Sequence, residues 1–125
     1  MARSLSDFVN AALQTVEEVD CGWVESHLGT DWVILDVREP DEFAEGHLPG
    51  SLNFPRGFLE VRADLQHPKK DERLANRNQK IVCYCGGGHR SALAAKTLLE
   101  MGFADVRSMA GGWTSWANQN LPKEK

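Results

Sequence analysis

Two short apolar runs, Trp32-Val33-Ile34-Leu35 and Ile81-Val82-Cys83-Tyr84, constrain this chain more than any other feature. Each is too short for a core helix and lacks the polar alternation of a sheet face open to water. That is how a strand buried on both faces reads, and such strands belong to parallel sheets with helices on either side. Each run gives way at once to polar or glycine residues: Asp36-Val37-Arg38 after the first, Cys85 to Arg90 after the second. In open parallel sheets ligands bind outside the carboxyl ends of the strands, so function is expected at these two clusters.

The remaining chain alternates in the same way. Leu5, Phe8, Val9, Ala12, Leu13 and Val16 follow helical spacing, so an amphipathic helix opens the chain, although Thr15–Val19 reads equally as a short strand. Asp20 looks like the N-cap of a short helix to about Leu28, closed by Gly29. Pro40 suits the first turn of a helix through about Ala44, and Ser51–Phe54 reads as a brief strand. Gly57 to about Leu65 is expected to be helical, and residues 66–79 to form a polar surface excursion. A helix follows the glycines from Ala92 to Met101, with Gly102 and Phe103 as its C-cap and apolar contact. Val106–Met109 reads as a last strand, and Gly112 begins a terminal helix. Strands alternating with short helices imply one α/β domain with a parallel sheet.

Composition excludes several classes. At 125 residues the chain fits one domain with a real core. A net charge of −4 gives no global case for nucleic acid or an anionic membrane. No apolar run approaches the roughly 20 residues that span a bilayer. Three cysteines, an odd number, make no disulfide framework, and a reducing, cytoplasmic setting is expected.

Cys85 sits between a buried strand and a helix expected to begin near Ser91. Gly86, Gly87 and Gly88 let the backbone fold tightly and turn successive N–H groups inward. The helix N-terminus adds its own unpaired N–H groups and positive dipole end. A thiolate in such a cup is stabilised relative to its thiol, which suits a nucleophile. Arg90 either adds positive charge or braces the loop. A phosphate loop would need Lys before Ser91 and a different glycine spacing, and a dinucleotide fingerprint fails at Ser91. A zinc site from Cys83, Cys85 and His89 would have to recruit Cys21 as a fourth ligand. The plainer alternative is a glycine-rich turn after a core cysteine.

Cys85 through Arg90 forms C-x4-R, which resembles the six-residue active-site loop of rhodanese-like sulfurtransferases. Leu35 to Phe43 and Glu45 to Asn53 resemble that family's first signature. Ser91-Ala92-Leu93-Ala94-Ala95, Met101-Gly102-Phe103 and Gly111 to Trp116 resemble the later ones. The resemblance runs from about Val16 to Trp116. It implies a single rhodanese-like domain at 16–120 behind a helical extension at 1–15, with a parallel five-stranded sheet flanked by helices on both faces. It further implies a sulfur relay in which Cys85 takes a sulfur from a donor such as thiosulfate, or from a protein persulfide. The resulting persulfide hands that sulfur to cyanide, a thiol or another protein, with no metal or organic cofactor. The alternative is a sulfur carrier or regulatory module with little small-molecule turnover. Phosphatases of the same fold resemble C-x5-R, one residue longer, so the shorter loop favours sulfur.

In this reading Gly86, Gly87, Gly88, His89, Arg90 and Ser91 form the anion-binding loop around catalytic Cys85, with Asp36 and Arg38 in support. Arg38 could attract an anionic donor, but an ion pair with Asp36 bracing the strand end is favoured. His89 is read with equal weight as a charged group for donor or acceptor and as a solvent-facing residue. Cys83 is taken as an inert core thiol, His47 as a hydrogen-bonded brace, and the four tryptophans as packing. The loop lacks the extra basic residues of thiosulfate-preferring relatives, which leaves the donor open.

Overall fold

The computed structural model describes the chain from Met1 to Lys125. Helix α1 (Leu5–Leu13) starts at a capping box: the Ser4 hydroxyl accepts from the Asp7 amide while the Asp7 carboxylate accepts from the Ser4 amide. It ends before Val16, and Glu17–Val19 forms strand β1, which settles the ambiguous stretch. The pairing that β1 finds in the sheet outweighs the helical spacing that Val16 shares with α1. Helix α2 (Cys21–Ser26) is capped by the Asp20 carboxylate, which accepts from the Trp23 amide at 2.8 Å. It stops short of Leu28, because the Ser26 hydroxyl and the His27 ring both bond the Trp23 carbonyl.

Strand β2 (Trp32–Asp36), helix α3 (Pro40–Glu45) and strand β3 (Leu52–Asn53) follow. The helix expected from Gly57 to Leu65 divides into a 3₁₀ turn (Arg56–Phe58) and helix α4 (Leu59–Ala63). The excursion at 66–79 is not wholly superficial either. It contains a 3₁₀ turn (Glu72–Leu74) whose Leu74 is fully buried, and Arg77 pins it by donating to the carbonyls of Ala63, Leu74 and Met101. Strand β4 (Lys80–Tyr84), helix α5 (His89–Glu100), strand β5 (Asp105–Met109) and helix α6 (Gly112–Asn118) complete the chain. At the end of α5, Gly102 adopts φ +99, and the Phe103 amide reaches back to the Leu98 carbonyl at 3.1 Å. This is the glycine C-cap that the sequence announced.

The five strands form one fully parallel sheet in the order β1-β5-β4-β2-β3. After β2 the chain moves toward one edge, to β3; after β4 it moves toward the other, to β5. The switch point therefore lies between β2 and β4, the two strands that precede Asp36-Val37-Arg38 and Cys85. Their register pairs Asp36 with Tyr84, so the two strand ends are level.

Alternation along these strands divides the core. Leu35, Ile81, Cys83 and Val106 face α4 and α5, where they meet Leu59, Ala94 and Leu98. Ile34, Val82, Tyr84 and Met109 face the other way, toward Val24 of α2 and Trp116 of α6. Both faces of the sheet are thus covered by helices. Helix α1 lies outside α5, with Val9 and Ala12 against Ala92.

Asp36 and Arg38 form a buried ion pair at the end of β2, with Nη2 and Oδ2 2.7 Å apart. The guanidinium also donates to the Gly46 carbonyl and lies 4.9 Å from the Trp113 ring centroid. One cation thereby joins the strand end, the turn after α3 and helix α6. Replacing Arg38 with Met should leave a buried carboxylate uncompensated and destabilise the fold by about 3–5 kcal/mol, read as a lowered urea midpoint.

Candidate active site

The chain leaves β4 at Cys85 and turns through Gly86, Gly87 and Gly88 into α5. That helix begins at His89, earlier than the sequence indicated, because Gly88 at φ +108 completes the reversal. Within this loop the Cys85 side chain points inward and is almost entirely buried. Its Sγ accepts hydrogen bonds from the amides of Gly88 at 3.0 Å and Ser91 at 3.4 Å. The amides of Gly86, Gly87, His89 and Arg90 have no hydrogen-bond partner within the chain. The loop thus places two amides on the sulfur and leaves four more without a partner, an arrangement suited to negative charge at the loop.

The loop is shaped from behind by α6. The Trp113 amide donates to the Cys85 carbonyl at 2.7 Å, and the Thr114 amide to the Gly86 carbonyl at 3.1 Å. Gly112 makes this approach possible: it adopts φ +56, and a Cβ there would lie 2.5 Å from the Cys85 carbonyl oxygen. Two of the loop's carbonyls are thus engaged by α6, while the Gly88 and Ser91 amides face the sulfur.

Two buried hydroxyls complete the surroundings. Ser91 Oγ lies 3.4 Å from Cys85 Sγ and 3.2 Å from the Gly88 carbonyl, to which it donates. Ser108, on β5, donates to Ser91 Oγ at 2.8 Å. Sequence reasoning missed Ser108, which is fully buried on an otherwise apolar strand face. The signal was a serine within the short run Val106–Met109, at a position that alternation directs toward the core.

The other expected residues separate into distinct settings. Arg90 reaches across to Glu42 of α3, with Nη1–Oε1 at 2.8 Å and Nη2–Oε2 at 3.2 Å. That hydrogen-bonded pairing lowers the Glu42 carboxyl to about 2. Arg90 is therefore a brace whose charge is already matched. His89 is exposed on the first turn of α5. Asp36 and Arg38 satisfy each other at the adjacent strand end. His47 donates from Nδ1 to the Leu48 carbonyl at 2.9 Å, lies 3.2 Å from the Ser51 hydroxyl, and stacks its ring on Phe43. Cys83 is fully buried, and burial followed by the neighbouring Cys85 pushes its thiol far up. No group of three or more His, Cys, Asp or Glu side chains is placed to hold a metal ion.

Residues 20–119 match the Rhodanese-like domain family, and the chain belongs to it. It is 34% identical over 91 residues to thiosulfate sulfurtransferase 16 of Arabidopsis thaliana chloroplasts, a match covering 70% of this chain and 76% of that one. It is 30% identical over 109 residues to a sulfurtransferase of Allochromatium vinosum, covering 86% of this chain and 94% of that one. Among solved structures, a Rhodopseudomonas palustris protein superposes with a TM-score of 0.93 at 34% identity. That match covers 99% of this chain and 96% of the other, which is described as of unknown function and a possible tyrosine phosphatase.

Gly112→Ala should force α6 away from the loop carbonyls. The expected result is altered amide chemical shifts from Cys85 to Ser91 and slower alkylation of Cys85 by iodoacetamide by about tenfold or more, with the fold retained by circular dichroism.

Proposed function

We propose that this protein is a sulfurtransferase that carries a sulfane sulfur on Cys85. The observation that carries this reading is the sulfur itself, held by two amides of a loop in which four more amides have no partner. In the proposed reaction the Cys85 thiolate attacks the outer sulfur of the donor. With thiosulfate, a new S–S bond forms as the old one breaks, and sulfite departs with the bonding pair. An acceptor nucleophile then attacks the outer sulfur of the persulfide and regenerates the Cys85 thiolate. Cyanide gives thiocyanate in this step, and a thiolate gives a new persulfide. Each step exchanges one sulfur leaving group for another, so covalent catalysis needs no redox partner, metal or organic cofactor.

The loop amides are the electrostatic element of this reading. Negative charge is present on the thiolate, on the persulfide and in both transition states. Fixed N–H donors serve all of them without reorganisation. The Ser91 hydroxyl can turn from the Gly88 carbonyl to the ionised sulfur, and Ser108 holds that hydroxyl in place. We take residues 16–120 as the transferring domain and 1–15 as its extension. A reducing compartment, as in the cytoplasm, would keep Cys85 available.

A second reading, that of a carrier which exchanges sulfur with other proteins, is favoured by two observations. The loop's one cation is neutralised by Glu42, and neither of the two surface cavities borders Cys85. A small dianion such as thiosulfate therefore finds no free positive side chain and no enclosing pocket at the sulfur. A phosphatase is disfavoured, because four residues between Cys85 and Arg90 make a smaller loop than the phosphate-binding version.

The test pairs intact-mass measurement with a thiosulfate:cyanide assay. Wild type should gain one cyanide-labile sulfur atom, and Cys85→Ser should gain none. Failure of the wild type to take sulfur from thiosulfate or from any persulfide donor would overturn the proposal. Glu42→Gln, which frees the charge of Arg90, should raise kcat/KM for thiosulfate by about threefold to tenfold at low salt. Persulfide formation with negligible turnover in both proteins would identify the carrier.

A further inference from the structure

Three basic side chains gather beside β3, in a groove that Cys85 does not border. A groove of about 390 Å³ is lined there by Phe54, Phe58, Val61, Arg62, Lys69 and Arg73, with Pro40, Asn53 and Pro55 at its edges. Its residues come from β3 and its exit, from α4, and from the excursion at 66–79, the segment that the resemblance to the family leaves aside. The excursion therefore has a product, one wall of a cavity.

That wall is held in place. The Asp71 amide bonds the Arg62 carbonyl at 2.8 Å, tying the excursion to α4. The Asp71 carboxylate then grips both Arg62 and Arg73, each at 3.0 Å. Hydrogen bonds from Arg73 hold the Asp71 carboxyl far below the usual carboxylate range, so this clamp stays charged. Both guanidiniums lie over the Phe54 ring, at 5.9 Å for Arg62 and 4.9 Å for Arg73. Lys69 forms no ion pair, so three cations face one carboxylate in a chain whose net charge is −4. The apolar surface is equally distinct: the Phe58 ring is 59% exposed at the rim, next to Val61. Arginines that are already oriented lose less freedom on meeting an anion than free surface chains do.

We propose that this groove is a binding site for a small organic acid, a carboxylate on an aromatic or aliphatic body. The body would lie on Phe58, Val61 and the edge of Phe54, and the carboxylate would meet Lys69 and the outward donors of Arg62 and Arg73. The volume falls in the range of small-molecule sites. The site stands independently of the sulfur chemistry. It shares the carboxyl edge of the sheet with Cys85, because β3 is two strand spacings, about 10 Å, from β4.

The experiment is a titration of the full-length, ¹⁵N-labelled protein followed by amide chemical shifts. The probes are 2-naphthoate, the neutral 2-naphthylmethanol and inorganic sulfate, at constant ionic strength. Naphthoate should produce saturable shifts centred on Phe54, Phe58, Val61, Arg62 and Arg73, with affinity at least about fivefold above either control. Lys69→Glu and Phe58→Ser, both at exposed positions, should each weaken it by about threefold or more while leaving the rate of Cys85 alkylation unchanged. The proposal is overturned by three results: no saturable shifts at the groove, equal response to naphthoate and the alcohol, or undiminished binding in both variants. Because alkylation and binding are read separately, loss of sulfur uptake and loss of this site would be distinct results.

Discussion

Two hydrogen bonds, from the amides of Trp113 and Thr114 to the carbonyls of Cys85 and Gly86, set the direction in which the whole loop faces. A peptide group cannot present its oxygen and its N–H to the same side. Once α6 has claimed the oxygens, the nearby amides are left for the sulfur. This depends on contact closer than any side chain permits, which is why Gly112 sits at the junction with a backbone that favours glycine. The buried pair of Asp36 and Arg38 acts at the same junction, since Arg38 reaches the turn after α3 and stacks near Trp113. The loop is thus formed by its neighbours as much as by its own glycines.

The sequence made part of this legible. Runs without polar alternation announced buried parallel strands, and polar residues at their ends marked the switch point. That Cys85 would sit in a tight turn of backbone amides was readable from the three glycines between a buried strand and a helix. The partners were not readable. Nothing local tells that Arg90 will meet Glu42, 48 positions away, or that Ser108 of β5 will meet Ser91 of α5. Those contacts follow from register and helix placement, which no short pattern encodes. The same limit explains the boundaries that shifted. Val16 and the stretch after it answered to the pairing of β1 with β5, and Leu74 answered to the core beneath an otherwise polar segment.

Charge is distributed against simple expectation. Helix α3, with Asp41, Glu42 and Glu45, stands beside the loop, and the loop's arginine is spent on it. Around the groove beyond β3, by contrast, three cations share a single carboxylate, Asp71. Backbone dipoles therefore supply the field at Cys85, while side-chain charge is used elsewhere. Such a field is local and little affected by salt, whereas that of the groove reaches into solvent and is screened.

Cys83 lies two residues before Cys85, on the same side of the strand, in the same apolar layer. Burial keeps its thiol protonated and surrounds it with hydrocarbon. A Cys83 thiolate that reached the inner sulfur of a Cys85 persulfide would close an internal disulfide and release the cargo as sulfide. Kept as a thiol, it cannot discharge the sulfur. In the proposed chemistry this gives the loaded protein a lifetime: the sulfur waits for an outside acceptor because the one thiol next to it has been made deaf.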